Sequence, residues 1–306
     1  MTPIRKITQL ITVVLFFTAI SFVSCNKETS SNNSLTAEEE SQAAEFSTES
    51  DAEAEIIFNG IFDDVLGVND EVGMAGLGIF GQVSPADPGG LARVTACFTV
   101  SVKRLDISQI FPVQVVIDFG SGCQGKDGRF RYGKIITTYS NRMTIPGAKA
   151  TTTFDGFKIG DLSISGIHII TNTSTANSRQ YKVVIEDARL TKPNGNYSEW
   201  ISHKTFTQVE GLGTPNFPLD DIFKIEGSAS GKVKRNDVIV AWQNEIVEPL
   251  IKKFACRWIV KGQVKTGQLN SSANSSWVAL LNYGAGDCDN NATISINGVL
   301  HEISLH

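Results

Sequence analysis

The chain has 306 residues, 41% hydrophobic and 19% charged, with 27 basic against 32 acidic side chains and a net charge of −5. That length suits one sizeable core, and the acidic balance excludes the electrostatic footprint of a nucleic-acid-binding protein. Without residues 1–24 the imbalance deepens to −7, with 25 basic against 32 acidic residues.

Arg5 and Lys6 precede a short apolar run from Ile7 to Val23, the form of a secretory signal peptide over residues 1–24. The run closes in Phe22-Val23-Ser24-Cys25, which resembles the bacterial lipoprotein box, with Phe22 standing where that box usually has Leu. Cys25 is then the lipid-attachment residue. No later run approaches spanning length, so the expected membrane partner is met through an N-terminal lipid anchor. Residues 25–51 are rich in Ser, Asn, Thr, Ala and Glu and predict a disordered tether, with Glu38-Glu39-Glu40 as a solvated run.

From 52 to 66 the spacing turns helical. Ile57, Ile61 and Val65 line one face beside Phe58 and Phe62, while Asp51, Glu53, Glu55, Asp63 and Asp64 supply the polar side. Gly67 is placed to end the helix. Residues 67–90 form a Gly-rich connector. Its Gly76-Leu77-Gly78-Ile79-Phe80-Gly81 matches the dinucleotide fingerprint in letters only, because a helix and not a strand precedes it and Pro85 and Pro88 follow.

Residues 91–306 read as one all-β domain. Phe98, Val100 and Val102 alternate with Thr and Ser, and Val113, Val115, Ile117 and Phe119 alternate with polar neighbours. Similar runs recur at 129–140, 148–158, 162–174, 181–185, 197–208, 221–226, 237–247, 256–264, 276–283 and 292–305, separated by turn signals such as Pro193-Asn194-Gly195. One-sided alternation with short turns predicts antiparallel pairing. The expected fold is mainly β: one large, curved antiparallel sheet assembly, a sandwich or an open barrel, with a single N-terminal helix packed on it.

One unit occurs twice. Ala96-Cys97 followed by Asp118-Phe119-Gly120-Ser121-Gly122-Cys123 is echoed by Ala255-Cys256 followed by Asn282-Tyr283-Gly284-Ala285-Gly286-Asp287-Cys288. Gly133 and Gly298 stand ten positions beyond the second cysteine of each copy. An exported chain permits disulfides, and four cysteines besides Cys25 allow three pairings. The echo favours Cys97–Cys123 and Cys256–Cys288, and no Cys-x-x-Cys spacing supports zinc instead.

No catalytic motif emerges from the spacing, so no enzyme, cofactor or metal site is expected. His168 shares a strand face with Ile164 and Ile170 and reads as a packed residue. Asp287-Cys288-Asp289-Asn290-Asn291 places oxygens as a calcium loop would, but Ala292 and Gly298 stand where an EF-hand needs Gly and Glu, so a turn-forming role is favoured. Trp242 and Trp277 fall on apolar faces. Trp200 shares its face with Ser198, Ser202 and Lys204, which marks it as a candidate exposed binding platform.

The Ser24-Cys25 box, the Asp118-Phe119-Gly120-x-Gly-Cys segment with Asp127-Gly128-Arg129 and Gly133-Lys134-Ile135, and the ending Asp287-Cys288-Asp289-Asn290 with Asn297-Gly298 together resemble an uncharacterised lipoprotein family of Bacteroidota. The resemblance spans roughly residues 92–305 and implies an exported, disulfide-containing lipoprotein without supplying a catalytic residue. Three readings follow. The leading one is a non-enzymatic lipoprotein of the cell envelope, at the outer membrane, with a binding or assembly role. The second is a carrier of a lipid or other apolar molecule, for which an apolar cavity beside the helix would be diagnostic. The third is glycan binding through exposed aromatics; a hydrolase with a dispersed site is a further class that no motif supports. The corresponding partners are an envelope protein, an apolar small molecule or a glycan.

Overall fold

The computed structural model describes residues 36–66, 97–125, 128–214, 218–236, 238–269 and 277–305. Cys25, the signal peptide and the whole of the 67–90 connector lie outside these residues.

The helix, α1, runs from Ala37 to Leu66. It ends where the apolar spacing places its end, but it begins fifteen residues earlier than Ala52, so residues 37–51 are helix and not disordered tether. A reciprocal cap explains the start. Glu39 N–H donates to Thr36 Oγ1 at 3.2 Å, and Thr36 N–H donates to Glu39 Oε2 at 2.8 Å. This capping box satisfies two backbone donors that the first turn leaves orphaned. Glu38, Glu39 and Glu40 sit in that turn, where the helix dipole favours negative charge.

The rest is sheet. Its strands are β1 (Thr99–Arg104), β2 (Val113–Asp118), β3 (Cys123–Gln124), β4 (Phe130–Tyr139), β5 (Lys149–Ile159), β6 (Leu162–Asn172), β7 (Gln180–Thr191), β8 (Tyr197–Glu210), β9 (Ile222–Arg235), β10 (Val238–Lys253), β11 (Ile259–Gln268), β12 (Val278–Ala285), β13 (Asn291–Ile296) and β14 (Val299–Ser304). They form a single antiparallel sheet in chain order from β1 to β14, with the short β3 pairing beside β4 off the main path. The sheet does not close, and β1 and β14 are its two edges. It is therefore an open wrap and not a sandwich. Residues 292–305, one run in the sequence, are a hairpin that turns at Asn297 and Gly298, both with positive φ.

The sheet must curl to do what it does. Side chains from β4 (Tyr139), β6 (His168), β8 (Trp200), β9 (Phe223) and β10 (Lys252) all reach α1. Laid flat, β4 to β10 alone would span about 29 Å at the usual strand spacing, far wider than a helix of about 10–12 Å. Breaks in register supply the bend, between Thr152 and Lys158 of β5 and between Glu245 and Leu250 of β10. At Gly227 (φ 140°) the strands approach so closely that a Cβ would overlap the His203 carbonyl oxygen.

The core is the lining of this wrap. Phe62 is fully buried and stacks on Phe206 at 4.5 Å, with the Tyr181 and Phe223 rings meeting it edge-on at 5.9 Å. Trp242 and Trp277 are buried as their strand faces predict.

Both disulfides form with the expected pairing, Cys97–Cys123 and Cys256–Cys288, with Cα atoms 5.2 and 5.8 Å apart. The repeat is conformational as well as chemical. Phe119 and Tyr283 are both buried. The glycine after each has positive φ, 55° at Gly120 and 94° at Gly284. Each of those glycines also donates its N–H to the side chain two residues before it, Asp118 Oδ1 at 2.8 Å and Asn282 Oδ1 at 3.0 Å. The first unit is the β1–β2 hairpin and the second is β11–β12, so the staples sit toward the two flanks of the sheet.

Candidate functional site: a polar seam between helix and sheet

An acidic and amide row runs down α1 at four-residue spacing: Asp51, Glu55, Asn59 and Asp63. Residues four apart share a helix face. The sequence pattern places the acids of this row toward water, yet Asp51, Glu55 and Asn59 are buried and Asp63 is mostly so. The sheet supplies their partners.

At the upper end, Trp200 Nε1 donates to Asp51 Oδ1 at 2.8 Å. Asn244 lies beside the Asp51 carboxylate, while its Oδ1 accepts the Ala229 N–H at 2.6 Å. Burial raises Asp51 to about 6, opposed chiefly by the positive charge of Lys204. One turn below, Lys204 pairs with Glu55, the two side chains only 4% and 3% exposed. Glu55 Oε1 in turn accepts from Asn59 Nδ2 at 3.1 Å. The Lys204 ammonium lies 4.9 Å from the Trp200 ring, whose other neighbour is Phe58, stacked at 5.4 Å. Tyr283, the aromatic of the second repeat unit, is close enough that the charges of Glu55 and Asp51 add to burial in raising its phenol well above the ordinary value.

At the lower end, Lys252 Nζ donates to Asp63 Oδ2 at 2.8 Å, and burial raises Asp63 to about 6 against the pull of that lysine. Tyr139 closes the helix terminus by donating to the Val65 carbonyl at 3.1 Å. Along the less buried flank, Glu49 faces Arg235 at 3.7 Å and Glu53 faces Lys192 at 3.6 Å.

Trp200 requires a correction. It is 1% exposed and points inward, so it is no surface platform. Lys204 lies on this face because it pairs with Glu55 of α1, and the hydroxyls of Ser198 and Ser202 are buried there without a hydrogen-bond partner, so the face is polar without meeting water. The two strand histidines separate: His168 is buried and stacks on Phe58 at 6.0 Å, whereas His203 is exposed on the outer face. The Asp289 side chain accepts the Asn291 N–H at 2.8 Å, the turn-forming role expected of it. Among the described residues no cluster of His, Cys, Asp and Glu is arranged to hold a metal.

The chemistry of the seam is recognition. Its carboxylates face lysines of the sheet, and burying such pairs stabilises little over apolar packing, but misplacing one leaves an uncompensated charge. A helix shifted by one turn would set Asp51 where Glu55 meets Lys204 and strip Asp63 from Lys252. The seam therefore fixes which segment fills the wrap and at what height.

No family model, no curated protein and no solved structure matches the chain.

Proposed function

We propose that the protein is a non-enzymatic lipoprotein of the cell envelope, anchored through Cys25 at the outer membrane, whose β domain has a binding or assembly role. The supporting observation is that α1 fills the concave face of the sheet along its length, held by Trp200–Asp51, Lys204–Glu55 and Lys252–Asp63. The space a carrier would offer to an apolar cargo is taken by the chain's own Phe58 and Phe62. Among the described residues, the outer face and the two sheet edges are left for a partner. The glycan reading loses the residue on which it rested, since Trp200 is buried.

The test is metabolic labelling with an alkyne fatty acid, combined with fractionation and native mass spectrometry. The expected result is a labelled, membrane-bound protein whose label and membrane retention are both lost in Cys25→Ala. A labelled Cys25→Ala protein would refute the anchor. Co-purification of a stoichiometric lipid with the folded domain, beyond the acyl chains themselves, would favour the carrier.

A further inference from the structure

The turn between β1 and β2 concentrates exposed apolar side chains in a short segment. Leu105, Ile107 and Ile110 all lie exposed on it, with Ile107 92% and Ile110 65% accessible. Single exposed apolar side chains are ordinary, but here three fall within six residues of one turn, Leu105 half exposed and the two isoleucines mostly so. The turn is nevertheless shaped: Asp106 Oδ1 accepts both the N–H and the hydroxyl of Ser108, at 2.8 and 2.7 Å, and Leu105 N–H donates to the Pro112 carbonyl at 2.9 Å. The Cys97–Cys123 disulfide lies at the opposite end of the hairpin.

Charge at the tip runs against the rest of the molecule. The chain is net acidic, yet Lys103 and Arg104 are exposed at the base of the turn. Arg142 is exposed on the next loop over, between β4 and β5, which the pairing of Val113 with Arg104 and Tyr139 places alongside. Ile145 of that loop is exposed as well. Asp106 is the acid within the turn, and Ser108 engages it.

We infer that the β1–β2 turn is a docking site for an anionic lipid bilayer, with Ile107 and Ile110 entering the acyl boundary and Lys103, Arg104 and Arg142 meeting the headgroups. A convex tip crowned by a nearly fully exposed isoleucine has no groove in which to receive a protein side chain, but it suits a fluid apolar layer. The cations behind it match the negative surface of that layer. This contact is separate from any acyl anchor, because it belongs to the folded domain.

The experiment places an indole at the tip of the full chain, as Ile107→Trp and separately as Ile110→Trp. Emission is followed on vesicles of phosphatidylcholine alone or mixed equally with phosphatidylglycerol, with and without acyl-chain bromination. The expected result is a blue shift and bromine quenching of the introduced indole on the mixed vesicles, both lost when Lys103→Glu and Arg104→Glu are added. Read as the difference from the unsubstituted chain, which carries four tryptophans of its own, the signal belongs to the tip and is independent of how the rest of the chain reaches the vesicle. An indole that stays unshifted and unquenched on vesicles carrying bound protein would overturn the proposal. So would quenching unaffected by phosphatidylglycerol, or a blue shift that appears without vesicles and grows with protein concentration, which would mark a protein partner instead.

Discussion

The indole of Trp200 and the carboxylate of Asp51 meet at 2.8 Å across 149 residues of chain, joining the middle of the sheet to the middle of the helix. Trp200→Phe keeps most of the ring against Phe58 and removes the donor. The loss of a hydrogen bond to a buried carboxylate and of part of the ring volume should destabilise the protein by about 2–4 kcal/mol. Asp51 should then titrate above its present value of about 6. Denaturant melts and a carboxyl-resolved NMR titration read the two effects; a variant with unchanged stability and an unmoved Asp51 would show that this bond does not hold the helix.

Lys204→Met leaves Glu55 buried without its counter-charge and should destabilise by about 3–5 kcal/mol near neutral pH. Adding Glu55→Gln should recover most of that loss. With Glu55→Gln alone the four proteins form a double-mutant cycle, and a coupling below about 0.5 kcal/mol would mean the two side chains act independently.

The pH profile should carry two opposed limbs. Burial raises Asp51 and Asp63 from 3.8 to about 6. Their contribution to stability is therefore fully present below about 3.8 and is lost as pH rises through about 6. Burial lowers His168 from 6.5 to about 3, so its contribution is present above about 6.5 and fades as pH falls toward 3. His168→Phe extends the stack on Phe58 and removes the imidazole, so the midpoint of acid unfolding should move to lower pH. Asp63→Asn removes an acid-side gain and should move it up. Near-ultraviolet circular dichroism across an acid titration checks both signs.

The two disulfides join cysteines 26 and 32 positions apart. In the chain-entropy model each stabilises by about 3.5 kcal/mol. Because the bridges staple different hairpins, replacing both pairs with serine should cause nearly additive losses. Non-reducing peptide maps should show Cys97 linked to Cys123 and Cys256 to Cys288; the crossed linkages would contradict the fold.

The features legible in the sequence were those written as a local period or a local echo. Alternation along Val113–Phe119 reports a strand whatever its partner, and the repeated aromatic-Gly-x-Gly-Cys unit reports the disulfides. Which face looks inward was harder to read. Ser198, Ser202 and Lys204 resemble a wet face, but Lys204 meets Glu55 of the helix and the two serines are small enough to be buried without partners, which cancels the hydrophobic signal that reveals a core. The same cancellation concealed the first half of α1. Residues 37–51 lack an apolar stripe because small and polar side chains such as Ala44, Ser47 and Thr48 suffice to fill that part of the wrap, all three being buried. The Thr36-x-x-Glu39 spacing was the local sign of the true start.

The direction in which α1 enters the wrap has a mechanical consequence. Thirty residues of helix extend about 45 Å, and the strands lie around that rod. Were the chain tethered ahead of residue 37 and the β domain held near the far end of the helix, the pull would run along the helix axis. Force in that direction loads Asp51–Trp200, Glu55–Lys204 and Asp63–Lys252 together, in shear, with the Phe58 and Phe62 rings as ratchet teeth. A peeling force would instead break the contacts one at a time. The seam would then resist strain along the line on which a tether delivers it, and yield more readily to a pull from the side.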